Sequence, residues 1–182
     1  MSKVSIAIIT PSLGFGGSER VSAQVSTFFE NEGHRVCVFA AYPDYLYNHG
    51  GNYIYLGMKR SSIFKFFHMI LAFFKLRVAL KKSSFDYVFD FRSRRIFWIE
   101  ALYTIAIYPL AKNVIPTVHL AMLQNFIPKP WNVFKKVYNR YPALIGVSES
   151  ITSDLLKQGF SNAKCIKNAV DFEWIKQQQK EH

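Results

Sequence analysis

The sequence predicts an α/β protein built on an open, mainly parallel β-sheet with helices on both faces. Short apolar runs alternate with longer amphipathic segments, and most of the links between them are short. This alternation is typical of βαβ units joined by right-handed crossovers. The chain has 182 residues, half of them apolar, which fits one domain with a sizeable buried core.

The first strand, turn and helix form the most informative unit. Residues 4–10 are predominantly apolar, as expected for a strand covered on both faces, and they lead into a turn that contains Gly16 and Gly17. An amphipathic helix follows, with Ser18 as the predicted N-cap and Glu19 in the first turn. Glycines let a backbone approach a ligand closely, and a helix N-terminus presents unpaired N–H groups. The unit therefore predicts a site for an anionic or sugar-like ligand.

The remaining elements follow in alternating order. Further strands are predicted at residues 35–41, 53–56, 85–91, 113–120, 143–147 and 163–167. Further helices are predicted at residues 63–82, 97–108, 131–140 and 149–158. Ser148 is the predicted N-cap of the last helix and Gly159 its terminating glycine, whereas Pro116 is unusual inside a strand. Cys37 and Cys165 fall in predicted strands far apart in sequence, and we expect two buried thiols.

Composition restricts the partners. Lys and Arg number 23 against 12 Asp and Glu, a net charge of +11, which favours an anionic partner. No Cys/His cluster or Asp-x-Asp pair suggests a metal, so we expect neither a metal nor a cofactor. The first apolar run is too short for a secretory signal, and basic residues interrupt the apolar stretch at residues 63–80. We therefore expect a cytoplasmic protein.

The glycine turn does not match the known nucleotide-binding fingerprints. A dinucleotide motif needs a third glycine where Glu19 stands, and an acidic residue at the end of the second strand, where residues 39–41 are Phe-Ala-Ala. No Walker A sequence is present. A nicotinamide oxidoreductase is therefore disfavoured. A turn that only joins strand to helix is the alternative to a ligand site.

Six short motifs in register resemble the N-terminal half of family 4 glycosyltransferases, which are retaining enzymes of the GT-B fold. The motifs are PSLGFGGSERV at residues 11–21, EGHRV at 32–36, FDYV at 85–88, PTVH at 116–119, IGVSES at 145–150 and NAVD at 168–171. The resemblance implies a Rossmann-like acceptor-binding domain at residues 1–167 and the start of an interdomain hinge at residues 168–182. It also implies a C-terminal donor-binding domain that these 182 residues do not include.

The resemblance further implies a reaction and site residues. The full enzyme would transfer a sugar from a nucleotide-sugar to a lipid-linked or polysaccharide acceptor in cell-envelope glycan synthesis, and the isolated domain would be inactive. His119 would face the cleft as the catalytic residue and hydrogen-bond a sugar hydroxyl. A strand-end histidine satisfied by local backbone is the alternative. Gly16, Gly17 and Glu19 are the predicted substrate-binding residues of the turn.

Two arginines follow the predicted strand at residues 85–91. Arg92 and Arg94 would lie at the carboxyl end of the sheet, where ligands bind in open α/β folds. Because arginine can hold phosphate in a bidentate manner, we expect one of them to contact the acceptor's phosphate or sugar. A solvated basic start of the next helix is the alternative.

Residues 59–82 carry seven Lys or Arg, five Phe and no acid. A basic, aromatic helix of this kind can lie on an anionic bilayer. We therefore expect an anionic membrane surface as a partner, at the inner face of the cytoplasmic membrane. An ordinary core helix with outward-reaching lysines is the alternative. A basic nucleic-acid-binding or membrane-binding module without catalysis is the second function class, although no known nucleic-acid fold is recognisable. The predicted membrane contacts are Lys65, Phe66, Phe67, Phe73, Phe74 and Lys75.

Overall fold

Seven parallel strands form one sheet in the order β3-β2-β1-β4-β5-β6-β7, in a computed structural model that describes residues 2–119, 127 and 131–168. The strands are β1 (Ser5–Thr10), β2 (Arg35–Ala40), β3 (Asn52–Tyr55), β4 (Tyr87–Asp90), β5 (Asn113–Val118), β6 (Leu144–Gly146) and β7 (Ala163–Cys165). The helices are α1 (Gly17–Asn31), α2 (Lys65–Ser83), α3 (Phe97–Ala106), α4 (Trp131–Tyr138) and α5 (Glu149–Lys157). The predicted parallel α/β fold is confirmed. The hinge and tail predicted beyond residue 168 lie outside the described residues.

Alternate residues of the strands pack on opposite faces of the sheet, because side chains of a strand point up and down in turn. Ile6 and Ile8 of β1 belong to the core beneath α1, which contributes Ala23. Ala7 and Ile9 belong to the core on the other face, beneath α2. The cores of α4 and α5 continue that second face. Within the described residues, α1 thus covers one face and the later helices cover the other.

Helix ends follow the local sequence in part. The predicted N-cap role of Ser18 is wrong: α1 begins at Gly17 after Gly16, and the Ser18 hydroxyl donates to the Glu19 carboxylate at 2.7 Å instead. The prediction for α5 is confirmed, because the Ser148 hydroxyl accepts the Ile151 N–H at 3.3 Å. Gly159 follows α5 with a φ of +86°, as a terminating glycine does.

Strand neighbours explain the two unusual strand residues. Pro116 lies opposite Asp90 in β4, but β5 pairs with β6 only from Thr117 onward, so the proline stands where β5 has a single partner strand. Cys37 is buried in β2, as predicted. The predicted burial of Cys165 is wrong, because β7 is the last strand of the sheet and leaves this side chain exposed.

Helix α2 packs on the sheet through small and aliphatic side chains. Ala72, Leu76 and Leu80 are spaced at four-residue intervals and pack on the sheet. Phe66 and Phe67 are exposed by 70% and 58%. The bulky aromatic side chains of α2 therefore point largely away from the core.

The sheet reverses its strand order between β1 and β4. The chain leaves β1 towards β2 on one side, and it leaves β4 towards β5 on the other. Because the two connections diverge, a crevice opens at the carboxyl ends of these neighbouring strands. The glycine turn after β1 and the loop after β4 both border this crevice.

Candidate functional site

A cavity of about 340 Å³ occupies the crevice at the switch point. The start of α1, the loop after β4 and the end of β5 contribute to it, so residues far apart in sequence meet there. The structure thus brings the glycine turn and the predicted catalytic histidine to one place. The lining residues are Pro11, Gly17, Ser18, Glu19, Phe91, Ser93, His119 and Asn168.

Glycine at position 16 and glycine at position 17 serve different structural purposes. Gly16 has a φ of +135°, and a Cβ there would collide with the carboxylate of Glu19. Gly17 begins α1, and a Cβ there would meet no heavy atom within 4 Å. The fold itself therefore requires glycine at position 16. At position 17 the missing side chain instead leaves open space beside the cavity.

A hydrogen-bond chain orients His119. Its Nε2 lies 3.1 Å from the Thr117 hydroxyl oxygen, and that hydroxyl donates its own proton to the Asp90 carbonyl, also at 3.1 Å. Because the threonine proton is already used, Nε2 must carry the imidazole proton and donate it to Thr117. The ring also packs on Phe91, with 5.5 Å between ring centres. This arrangement leaves Nδ1 as the nitrogen that can accept a hydrogen bond.

The environment keeps the His119 imidazole neutral near pH 7. Burial and, to a lesser extent, the positive charge of Arg94 lower its pKa to about 4. A neutral imidazole with a free acceptor nitrogen can take a hydrogen bond from a sugar hydroxyl. The half-buried Glu19 carboxylate, which lines the same cavity, can accept another. The pair suits a ligand rich in hydroxyl groups.

Two arginines that follow β4 form ion pairs close to the end of β5 that carries His119. The Arg92 guanidinium contacts the carboxylates of Asp90 at 2.7 Å and Glu100 at 3.2 Å. The Arg94 side chain is fully buried, with Nε 3.6 Å from the Asp90 carboxylate. Its Nη1 donates to the Thr117 carbonyl at 3.1 Å. Arg94 therefore links β4 to the end of β5 just before His119.

These positions revise the predictions for both arginines. Burial of Arg94 does not agree with direct contact to an acceptor, and the alternative of a solvated helix start is wrong because its charge lies inside the protein. Arg92 turns towards α2 and α3, where its guanidinium stacks 3.3 Å from the centre of the Tyr103 ring. Neither arginine lines the cavity that holds His119. We interpret them as supports of the site.

An acidic residue and two tyrosines that were not predicted from the sequence complete this network. Glu100 is fully buried and accepts hydrogen bonds from the hydroxyls of Tyr108 and Tyr138. Burial raises the pKa of Glu100, and it acts likewise on Asp90, although the charges of Arg92 and Arg94 hold the Asp90 pKa below its ordinary value. A signal was available: Glu100 is the single acid in the apolar segment at residues 97–108.

An apolar cavity of about 370 Å³ adjoins the polar one. It lies between α1 and β4 to β7 on the α1 side of the sheet, with Phe28, Phe89 and Val147 among its lining residues. His119 and Asn168 border both cavities. The imidazole therefore stands at the boundary between a polar and an apolar space.

Comparison with known proteins identifies the family. The sequence profile of Glycosyltransferase Family 4 matches residues 15–174. The chain belongs to this family. The family match confirms the predicted resemblance to glycosyltransferases. The likeness to solved structures confirms the predicted Rossmann-like fold. A search of curated protein sequences found no match.

Two solved structures share the fold. One is the crystal structure of Anabaena HepE in complex with UDP and glucose, with a TM-score of 0.64, 14% identity and coverage of 93% of this chain and 46% of that one. The other is a glycosyltransferase from Rickettsia africae ESF-5, with a TM-score of 0.62, 22% identity and coverage of 96% and 45%. The 182 residues thus span less than half of either structure.

No helix within residues 2–119 and 131–168 combines the length and apolarity needed to cross a bilayer. In the same part of the chain, no group of three or more His, Cys, Asp or Glu side chains is arranged to hold a metal ion.

Proposed function

We propose that this chain is the acceptor-binding half of a retaining sugar transferase. The complete enzyme would move a sugar from a nucleotide-sugar donor to a lipid-linked or polysaccharide acceptor in cell-envelope glycan synthesis, without a metal or cofactor. The family match and the likeness to a structure that holds UDP and glucose support this proposal. The observation that carries it is the meeting of Gly17, Glu19 and His119 in one cavity at the switch point.

The chemistry proposed for this half is positioning. Glu19 and the Nδ1 of His119 accept hydrogen bonds from hydroxyl groups of a sugar, while Gly17 leaves room for the sugar ring beside the backbone. Holding the reacting hydroxyl in a fixed direction lowers the entropic part of the barrier. A carboxylate repels phosphate, so the diphosphate of the donor would lie away from Glu19. The second half of the enzyme would supply most of the contacts to the diphosphate.

A lipid-linked acceptor would bring this half to a membrane surface. On α2, the exposed Phe66, Phe67 and Phe74 stand among Lys65 and Lys75. A basic and aromatic helix of this composition suits the interface of an anionic bilayer. We propose contact with the inner face of the cytoplasmic membrane through α2.

A titration of the isotope-labelled chain tests the sugar site. We expect methyl α-glucoside to shift the NMR signals of the Gly17 and Glu19 amides and the His119 imidazole. His34 is a matched control, because it lies at the start of β2, at the opposite end of the strands. We expect His119→Ala to remove the response and His34→Ala to preserve it. Shifts confined to residues outside the cavity would contradict the proposal.

Two further measurements separate the competing functions. With UDP-glucose and methyl α-glucoside, we expect the 182-residue chain alone to form no product, so turnover would refute its assignment as an acceptor half. A nucleic-acid-binding module would instead bind duplex DNA with an affinity that falls steeply with salt. Salt-sensitive DNA binding without any response to the sugar would favour that alternative.

A further inference from the structure

Helix α3 carries exposed apolar side chains that have no role in the candidate site. Trp98, Leu102 and Ile105 lie on one side of α3 and are exposed by 75%, 50% and 76%. Their spacing of four and three residues places them in one row along the helix. The helix therefore presents an apolar row to its surroundings.

A matching row lies on α2. Phe67, Leu71, Phe74 and Val78 follow the same spacing and are all exposed. We call the two rows together the apolar face. It comprises Phe67, Leu71, Phe74, Val78, Trp98, Leu102 and Ile105.

Direct contacts hold the two helices beside each other. Phe73 of α2 packs edge-on against Tyr103 of α3, with 5.9 Å between ring centres. The Arg77 guanidinium on α2 donates to the Ala106 carbonyl at the end of α3. The two rows therefore belong to neighbouring helices.

A cavity of about 280 Å³ opens in the middle of this face. Phe74 and Leu102 belong to both the cavity lining and the exposed rows, so they form its mouth. Met69, Ile70 and Ile99, which are half-buried, supply apolar walls. The volume is about twice the roughly 150 Å³ of an engineered apolar cavity that binds benzene.

The cavity offers no uncompensated charge. Arg92 is its charged lining residue, and the carboxylates of Asp90 and Glu100 lie 2.7 Å and 3.2 Å from its guanidinium. The remaining lining side chains are apolar, apart from the hydroxyl of Tyr103. An anionic headgroup would compete with two carboxylates for Arg92, whereas an alkyl chain would meet a surface of its own polarity.

The charges around the apolar face select an anionic bilayer as the source of that chain. Residues 45–85 contain seven Lys or Arg and no Asp or Glu. Arg60 is paired with Asp44 just outside this range, which leaves six Lys or Arg, and the acid of α3, Glu100, is fully buried. Basic residues beside apolar side chains are attracted to anionic headgroups, and tryptophan favours the same interface.

We propose that the cavity between α2 and α3 binds one aliphatic chain of a lipid while the apolar face rests on an anionic membrane. This inference rests on the membrane contact proposed above and adds a defined lipid site to it. The aliphatic chain of the lipid enters between Phe74 and Leu102. It moves out of water and contacts the walls formed by Met69, Ile70 and Ile99. Each methylene that enters strengthens binding about fourfold.

Photo-crosslinking from vesicles tests the site. The probe is a phospholipid with a diazirine at the end of one acyl chain, in vesicles of phosphatidylcholine with or without phosphatidylglycerol. On anionic vesicles we expect crosslinks to Met69, Ile70 or Ile99, located by mass spectrometry. Crosslinks confined to exposed residues such as Phe67 and Trp98 would overturn the cavity site while leaving membrane contact intact.

Substitutions separate the cavity from the face. Ile99→Trp fills the cavity, so we expect cavity crosslinks to fall about tenfold while vesicle co-sedimentation stays unchanged. Met69→Trp is the second filling variant if Ile99→Trp fails to fold by circular dichroism. Phe67 and Trp98 lie outside the cavity lining but belong to the apolar face. Because they would contact the membrane, we expect Phe67→Ser and Trp98→Ser to weaken the binding of the protein to vesicles.

The outcomes distinguish this inference from the proposed sugar transfer. Unchanged cavity crosslinking in both filling variants would overturn the inference. Equal, weak binding to neutral and anionic vesicles would also overturn it, as would self-association of the chain through the apolar face in size-exclusion chromatography. None of these results bears on the response of His119 to methyl α-glucoside, which tests the sugar site separately.

Discussion

Replacing Gly17 by alanine separates a ligand-binding role from a structural one. Gly17 begins α1 without a left-handed backbone, and an added Cβ would meet no protein atom within 4 Å. The variant chain is therefore free of strain. Because alanine restricts the unfolded chain, we expect Gly17→Ala to raise the free energy of unfolding by about 0.4–1 kcal/mol.

The same methyl group projects beside the proposed sugar site. If the sugar ring lies against the Gly17 backbone, the additional carbon displaces it, and a misfit of one carbon is worth about 1–3 kcal/mol, or tenfold and more in affinity. We therefore expect opposite signs: greater stability in urea unfolding, and weaker binding of methyl α-glucoside in the NMR titration. A structural turn with no ligand predicts greater stability alone.

Two other glycines serve as matched controls. Gly33 has a φ of +80° and lies far from the cavity lining, so Gly33→Ala is expected to destabilise the chain by about 1 kcal/mol and to leave binding unchanged. Gly16→Ala combines a φ of +135° with a collision at Glu19, so it is expected to lower both stability and binding. Sugar affinity that is unchanged in Gly17→Ala would refute the proposed contact.

Three further predictions concern the buried groups. Glu100→Gln leaves the buried arginine charge partly uncompensated and is expected to lower the free energy of unfolding by about 3–5 kcal/mol, against about 0–1 kcal/mol for the exposed control Glu149→Gln. The His119 pKa is about 4 in the folded chain and about 6.5 in the unfolded chain, so between these pH values only the unfolded chain takes up a proton on this residue. We therefore expect the free energy of unfolding to keep its full value above pH 6.5 and to decrease as the pH falls towards 4. A thiol reagent is expected to modify Cys165 in the native chain and Cys37 only after unfolding, because burial raises the Cys37 pKa to about 11.

Each of these predictions has a contradicting result. Equal losses in the two glutamine variants would show that the Glu100 carboxylate is unimportant to the buried network. The pH dependence of urea unfolding is compared with that of His119→Gln, and identical slopes between pH 4 and 6.5 would contradict the low pKa of His119. Modification of both cysteines at equal rates without urea would contradict the burial of β2.

The meeting of the glycine turn with His119 could be predicted from sequence because it depends on topology. Both follow parallel strands, and the carboxyl ends of parallel strands reach the same edge of the sheet. The helix end at Ser148 could be predicted for a similar reason, since a cap involves neighbours only three residues away. These features need no knowledge of distant side chains.

The fate of the arginines could not be predicted in this way. Whether Arg94 faces water or the core depends on Asp90, Glu100 and Thr117, which lie on three separate elements. The exposure of Cys165 likewise depends on β7 being the last strand, which is a property of the whole sheet. Local patterns identify which side chains leave a strand end, but long-range packing decides the direction in which they turn.

The hydrogen bond from Arg94 to the Thr117 carbonyl fixes the side of the cavity that is formed by His119. The guanidinium ties β4 to β5 from inside the core, so the fold itself holds the strand end that carries His119, without the need for a bound ligand. A preorganised wall loses little conformational entropy on association. Calorimetry with related sugars would then register differences in their hydroxyl contacts, largely free of a contribution from rearrangement of the protein.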